Sequence, residues 1–117
     1  MISSLIMKNK YKHEMHFYDG VQNYKIVQTS LKEENLYGKV DFEKKIIYLD
    51  PDQDLPDYKK TLLHEIIHIG YDCFGLNNDG NMPTITNEYI TTVTTNMMQH
   101  CFYCNRDLFK FIFSYPK

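Results

Sequence analysis

The sequence predicts an α+β domain: a small antiparallel sheet of three or four strands packed on a buried helix, followed by two further helices. Three observations carry that expectation. Alternating apolar and polar segments, separated by turn residues, fill the first half of the chain. A helical run follows from about Pro56 to Cys73, apolar around most of its circumference. Beyond it, apolar residues recur at helical rather than strand spacing. With 117 residues, 43% of them hydrophobic, the chain can enclose one small core, so residues 1–117 form a single domain.

The elements follow in order. Tyr11 to Tyr18 and Val21 to Gln28 flank Asp19-Gly20, a signal for a tight two-residue hairpin. Ser30 to Asn35 is polar and reads as a loop. Tyr37 to Phe42 alternates with period two, and Lys45 to Leu49 is its hairpin partner across Glu43-Lys44. Asp50 to Asp54 breaks the pattern with Pro51 and three carboxylates. Pro56 then suits the first turn of a helix, where its missing N–H costs nothing, and Gly75 suits its end. Leu76 to Pro83 is a polar loop, after which Thr84 or Thr86 can cap a helix from about Asn87 to Cys101. That helix is contested by its own composition, because Ile90 to Thr95 is β-branched and favours a strand. Ile85, Tyr89, Val93 and Met97 keep a four-residue step, which decides for the helix. Asn105 caps the last helix, Arg106 to Phe113, whose Leu108, Phe109 and Ile112 close the core.

The helix at Pro56 carries the chemistry. Leu62, Leu63, Ile66, Ile67 and Ile69 make it the expected centre of the domain, yet Thr61, His64, Glu65, His68 and Asp72 run as a polar stripe along one side. A polar stripe on a buried helix must find partners or bear a desolvation penalty. His64-Glu65-Ile66-Ile67-His68 places two imidazoles one turn apart on the same face, where both reach one metal ion. The intervening Glu65 projects beside them, where a carboxylate can take a proton from an activated water. Glu88, separated from His68 by nineteen residues, is placed to supply a third ligand from the next helix.

Composition excludes other classes. Net charge is −2 and the only arginine is Arg106, so no basic face marks a nucleic-acid partner. No apolar run approaches membrane-spanning length, and Met1 to Met7 has too short an apolar core for a signal peptide. Three cysteines make an odd count, unlike a disulfide framework, and suit a reducing compartment; the expected location is cytoplasmic. The absence of alanine, with frequent Ile, Lys, Asn and Tyr, points to an AT-rich genome such as that of a low-GC bacterium or its phage.

The segment Thr61-Leu62-Leu63-His64-Glu65-Ile66-Ile67-His68, followed by Asn87-Glu88, resembles the small gluzincin-type metallopeptidases, among them the ImmA/IrrE-like and phage-encoded HExxH enzymes. The resemblance spans Tyr37 to about Ile112, and the nineteen-residue gap with its Asn-Glu pair is also similar to thermolysin. It implies zinc as cofactor, His64, His68 and Glu88 as its ligands, Glu65 as general base, and hydrolysis of a peptide bond in a protein substrate. The chain departs from the thermolysin pattern at Thr92, where an aspartate orients a ligand histidine, leaving Asp72 or a backbone carbonyl to substitute. Tyr71, Tyr89, His100 and Tyr103 are candidate oxyanion donors. An extended peptide is expected to add to a sheet edge at Lys45 to Leu49. So short a chain has few loops for a general cleft, which points to one particular protein as substrate. The competing class is a non-catalytic protein-binding module on the same fold, consistent with Thr92 and with the absence of an evident oxyanion donor.

Three other groups carry less. Cys101 and Cys104 are spaced as a metal or redox pair, but a structural zinc needs four ligands, and buried helical cysteines serve as small hydrophobes. His13 and His16 read as packing or solvent residues. Asp50, Asp52, Asp54 and Asp57 lack the glycine and terminal glutamate of a calcium loop and read as a solvated turn.

Overall fold

A computed structural model describes residues 9–75 and 87–114. The Leu76 to Pro83 loop and the caps expected at Thr84 or Thr86 lie outside the described residues. Among the described residues the architecture is α+β: a four-stranded sheet followed by three α-helices.

Two hairpins build the sheet. The first joins β1 (His16–Tyr18) to β2 (Asn23–Gln28), and the second joins β3 (Gly38–Asp41) to β4 (Ile46–Leu49). The order is β1-β2-β4-β3, with antiparallel pairing inside each hairpin and parallel pairing of β2 with β4. The sheet is therefore mixed, not wholly antiparallel as expected. Burial explains the placement: β4 carries Ile47 and Leu49, both fully buried, and takes the centre, while β3 offers no fully buried side chain and takes the edge. This also removes Lys45 to Leu49 as a docking edge, since β4 is paired on both sides.

The first hairpin is shorter in β1 and longer in its turn than the sequence suggests. The loop is Asp19–Gln22, closed by the Asp19 N–H on Gln22 O (3.1 Å). Asp19 Oδ1 accepts from the Val21 and Gln22 N–H groups at 2.8 and 2.7 Å, and Gly20 takes φ +103°, where a Cβ would be strained. Ahead of β1, the chain leaves the ladder because a side chain replaces it. Buried Gln28 accepts the N–H groups of Lys10 (3.0 Å) and Tyr11 (3.3 Å), and donates to Tyr11 O (2.8 Å).

Helix α1 (Leu55–Cys73) has Pro56 in its first turn and ends before Gly75, at φ +81°. Tyr58, Leu62, Ile66 and Ile69 seat it in the core against Phe17, Ile26, Ile47 and Leu49. It is buried on one face only: Leu63 and Ile67 are half-buried, and His64 and His68 are exposed. Helix α2 (Asn87–Cys104) is a helix despite its β-branched run. Two of its threonine hydroxyls fold back onto the preceding turn, Thr91 onto Asn87 O (2.8 Å) and Thr95 onto Thr91 O (2.7 Å), which satisfies them within the helix. It extends three residues past the expected end. Asn105 there does not cap α3 (Arg106–Phe113) with its side chain. Instead Oδ1 accepts the Tyr18 N–H (2.7 Å) while Nδ2 donates to Tyr18 O (2.7 Å) and Cys101 O (3.0 Å), tying both helices to β1. Among the described residues, no helix is long and apolar enough to cross a membrane.

Candidate metal centre

One turn of α1 separates His64 from His68, and the helix turns both rings out of the core. Their Nε2 atoms lie 3.1 Å apart, with ring centroids at 4.6 Å and planes at 81°. As a hydrogen bond this holds one proton between two ring lone pairs. Two nitrogens bound tetrahedrally to zinc at about 2.0–2.1 Å stand roughly 3.3 Å apart. The pair thus matches a two-point grip on such an ion within a few tenths of an ångström, and the donor chemistry suits zinc. Among the described residues, neither Nδ1 meets a protein acceptor of the kind that orients ligand imidazoles. Asp72, a turn beyond His68, is exposed and accepts the Gly75 N–H through its backbone carbonyl (3.3 Å).

Glu65 lies on the side of α1 that meets the sheet and is only 6% exposed. Burial pushes its carboxyl above the usual range, opposed by the neighbouring His64 and His68. The contact that covers it comes from Gly38 at the start of β3. A Cβ there would stand 2.7 Å from Thr61 Cγ2, 3.2 Å from Leu49 Cδ2 and 3.3 Å from Glu65 Cγ. Gly38 therefore sets how closely the edge strand approaches the polar side of α1. The sequence reading missed it, although a glycine inside a strand pattern is itself a signal for close backbone approach.

Glu88 stands in the first turn of α2 and is exposed. Among the described residues, no three His, Cys, Asp or Glu side chains are gathered as a group that could hold a metal ion. The phase of α2 accounts for this. Its face toward α1 is marked by Thr94, whose Oγ1 meets Tyr71 Oη at 3.1 Å, and by Met97, which packs where a Cβ on Gly70 would go. Glu88 precedes Thr94 by six residues, about 120° round the helix. Thr92 is exposed on the same helix.

The other candidates separate clearly. Tyr71 shares the phase of the imidazoles, three residues beyond His68. His100 is turned to the hairpin, its Nε2 on Asp19 O at 2.7 Å, and Tyr103 lies beneath Arg106 at 5.9 Å. Tyr89 is half-exposed near the start of α2. All three cysteines are free; Cys101 is in the core, where burial pushes its thiol up to about 12. His13 packs on Phe111 (centroids 4.5 Å) and meets Tyr58 Oη at 2.8 Å, whereas His16 is exposed. Asp50 is no solvated turn residue: it is buried and accepts the N–H groups of Leu31 (3.0 Å) and Asp52 (2.9 Å).

No family model, no characterised protein and no solved structure matches the chain. The functional reading therefore rests on the site itself.

Proposed function

We propose that the protein is a zinc-dependent peptide hydrolase acting on a particular protein, with His64 and His68 gripping the metal, Glu88 completing the ligand set through a rotation of α2, and Glu65 as general base. The observation that carries this reading is the convergence of two imidazole nitrogens at 3.1 Å beside a buried carboxylate on one helix. A packing role for the histidines accounts for it poorly, because both rings are exposed and, among the described residues, bond to each other. Zinc bound there supplies the Lewis acidity that peptide hydrolysis needs near neutral pH.

The remaining work falls to the chain. Glu65, made more basic by burial, takes the proton of the attacking water and passes it to the leaving amine. Tyr71, on the imidazole face, offers a hydroxyl to the developing oxyanion. Among the described residues β3 is an edge strand, which supports binding of an extended substrate segment by strand addition, and Gly38 brings that edge close to Glu65. This replaces β4 as the docking strand.

A non-catalytic protein-binding module is the second reading. It is favoured by one observation: Glu88 lies about 120° round α2 from Thr94, which marks the face toward α1. The two are separated by incubating zinc-loaded protein and its Glu65→Gln variant with a proteome-derived peptide library and sequencing new amino termini. The peptidase reading expects termini from the wild type that fall by about a hundredfold or more in the variant. Identical termini from both, or none from either, leaves the binding module.

A further inference from the structure

A short strap runs from Lys10 to Glu14 across α1 and α3 before the chain joins the sheet at Met15, whose carbonyl accepts the Ile26 N–H (2.7 Å). Its fastening is aromatic. Tyr11 packs on Tyr58 of α1 with centroids at 4.6 Å, and His13 stacks on Phe111 of α3 at 4.5 Å. Tyr58 and Phe111 meet edge to face at 6.4 Å, so the strap and both helices join at one cluster. The strap also walls a cavity. Lys10 lines a space of about 510 Å³ with Tyr37, Gln53, Asp57 and Thr61, along the polar side of α1. The Tyr11 hydroxyl donates to Gln53 O, and Gln53 Oε1 accepts the Thr61 hydroxyl at 3.0 Å.

The partners of His13 fix where its proton sits. Nδ1 lies 2.6 Å from Glu14 O, which can only accept, so Nδ1 carries the hydrogen. Nε2, 2.8 Å from Tyr58 Oη, then accepts the tyrosine hydroxyl in the neutral ring. Tyr58 is fully buried, and burial keeps that hydroxyl protonated. Among the described residues the hydroxyl has no second partner. A solvent proton on Nε2 turns both atoms into donors. Oη must then accept from Nε2, and its own hydrogen is left unpaired inside the protein.

The surrounding charges do not remove this conflict. Glu14 on the strap favours the charged ring, but burial outweighs it and holds His13 below its ordinary value of 6.5. From α1, Lys59 places a like charge over the Phe111 ring at 5.1 Å, while Asp57 is turned to the cavity. From α3, Phe111 itself is uncharged and the adjacent Lys110 is exposed and positive.

We propose that Lys10 to Glu14 is an acid-released strap: a proton on His13 Nε2 breaks the bond from Tyr58 and lifts the segment off α1 and α3, opening the cavity it walls. The open segment takes up the proton at the ordinary value and the closed one only below it. The open fraction therefore rises as pH falls from 6.5, by up to about tenfold per pH unit. The device involves neither the histidine pair nor a metal.

Amide exchange followed by NMR on the metal-free full chain, between about pH 7 and 5, tests this. The Lys10 and Tyr11 N–H groups, held by Gln28 Oε1 at 3.0 and 3.3 Å, report on the strap, and the amides of β4 report on the whole fold. Strap protection factors should fall by up to about tenfold per pH unit below 6.5 while those of β4 hold. His13→Gln should abolish that fall. Tyr58→Phe, which removes the bond favouring the neutral ring, should move the His13 titration up toward 6.5. Strap protection that ignores pH, or falls together with that of β4, overturns the proposal. So does a fall that persists in His13→Gln, or a His13 titration left unmoved by Tyr58→Phe.

Discussion

Two sets of polar side chains sit on this small core and behave in opposite ways. Gln28, Asp50, Lys59 and Asn105 are buried, and each bonds backbone groups, Lys59 the Ser114 hydroxyl as well. Among the described residues, no buried side-chain nitrogen or oxygen lacks a partner. His64 and His68 do the reverse: they are exposed and bond to one another. A side chain that satisfies backbone inside the protein is holding the fold. A pair that could be hydrated separately, yet converges on one point, is free for chemistry. Glu65 lies between the two sets, buried like the first and adjacent in sequence to the second.

Breaking the first set should cost the most stability. Asn105→Ala removes the bonds to Tyr18 and Cys101 and strands backbone groups, lowering unfolding free energy by about 2–4 kcal/mol in urea titrations. Asp50→Ala should fall in the same range. Gly38→Val comes next, at about 1–3 kcal/mol, since its Cβ would press on Thr61 and Glu65. A smaller effect concerns pH. His13 is held below its ordinary value of 6.5 mainly by burial, opposed by Glu14. The unfolded chain therefore takes up this proton first, so stability is full above about pH 6.5 and declines as pH falls toward the lowered value. His13→Gln should flatten that part of the urea midpoint profile between pH 7 and 5. The smallest effect belongs to the second set: without metal, His64→Ala should change stability by less than about 0.5 kcal/mol. A large loss there would place the pair with the structural residues.

The sequence made the helices and the histidine motif legible because both are local. Pro56 and Gly75 bracket α1, and one helical turn is enough to bring His64 to His68. What it did not disclose depends on distant parts of the chain. The parallel β2–β4 pairing arises from competition for the centre of the sheet, which hairpin signals cannot report. Asn105 looks like a cap from its neighbours alone, yet its partner is Tyr18, 87 residues away. The spacing of Glu88 to His68 says nothing of the rotation of α2, which Thr94 and Met97 set against α1, so its role as third ligand stays a proposal for the metal-loaded protein. Asp50 read as solvated because nothing nearby marks Leu31 as its partner.

The central claim is that the exposed imidazole pair holds a metal ion. The most direct measurement is metal content of the purified protein by mass spectrometry, beside His64→Ala and Glu88→Ala, without chelator and after zinc reconstitution. The account predicts about one zinc per chain, lost in His64→Ala and weakened in Glu88→Ala. Zinc unaffected by Glu88→Ala would move the third ligand elsewhere. No zinc in the reconstituted wild type, or zinc unchanged by His64→Ala, would contradict the claim.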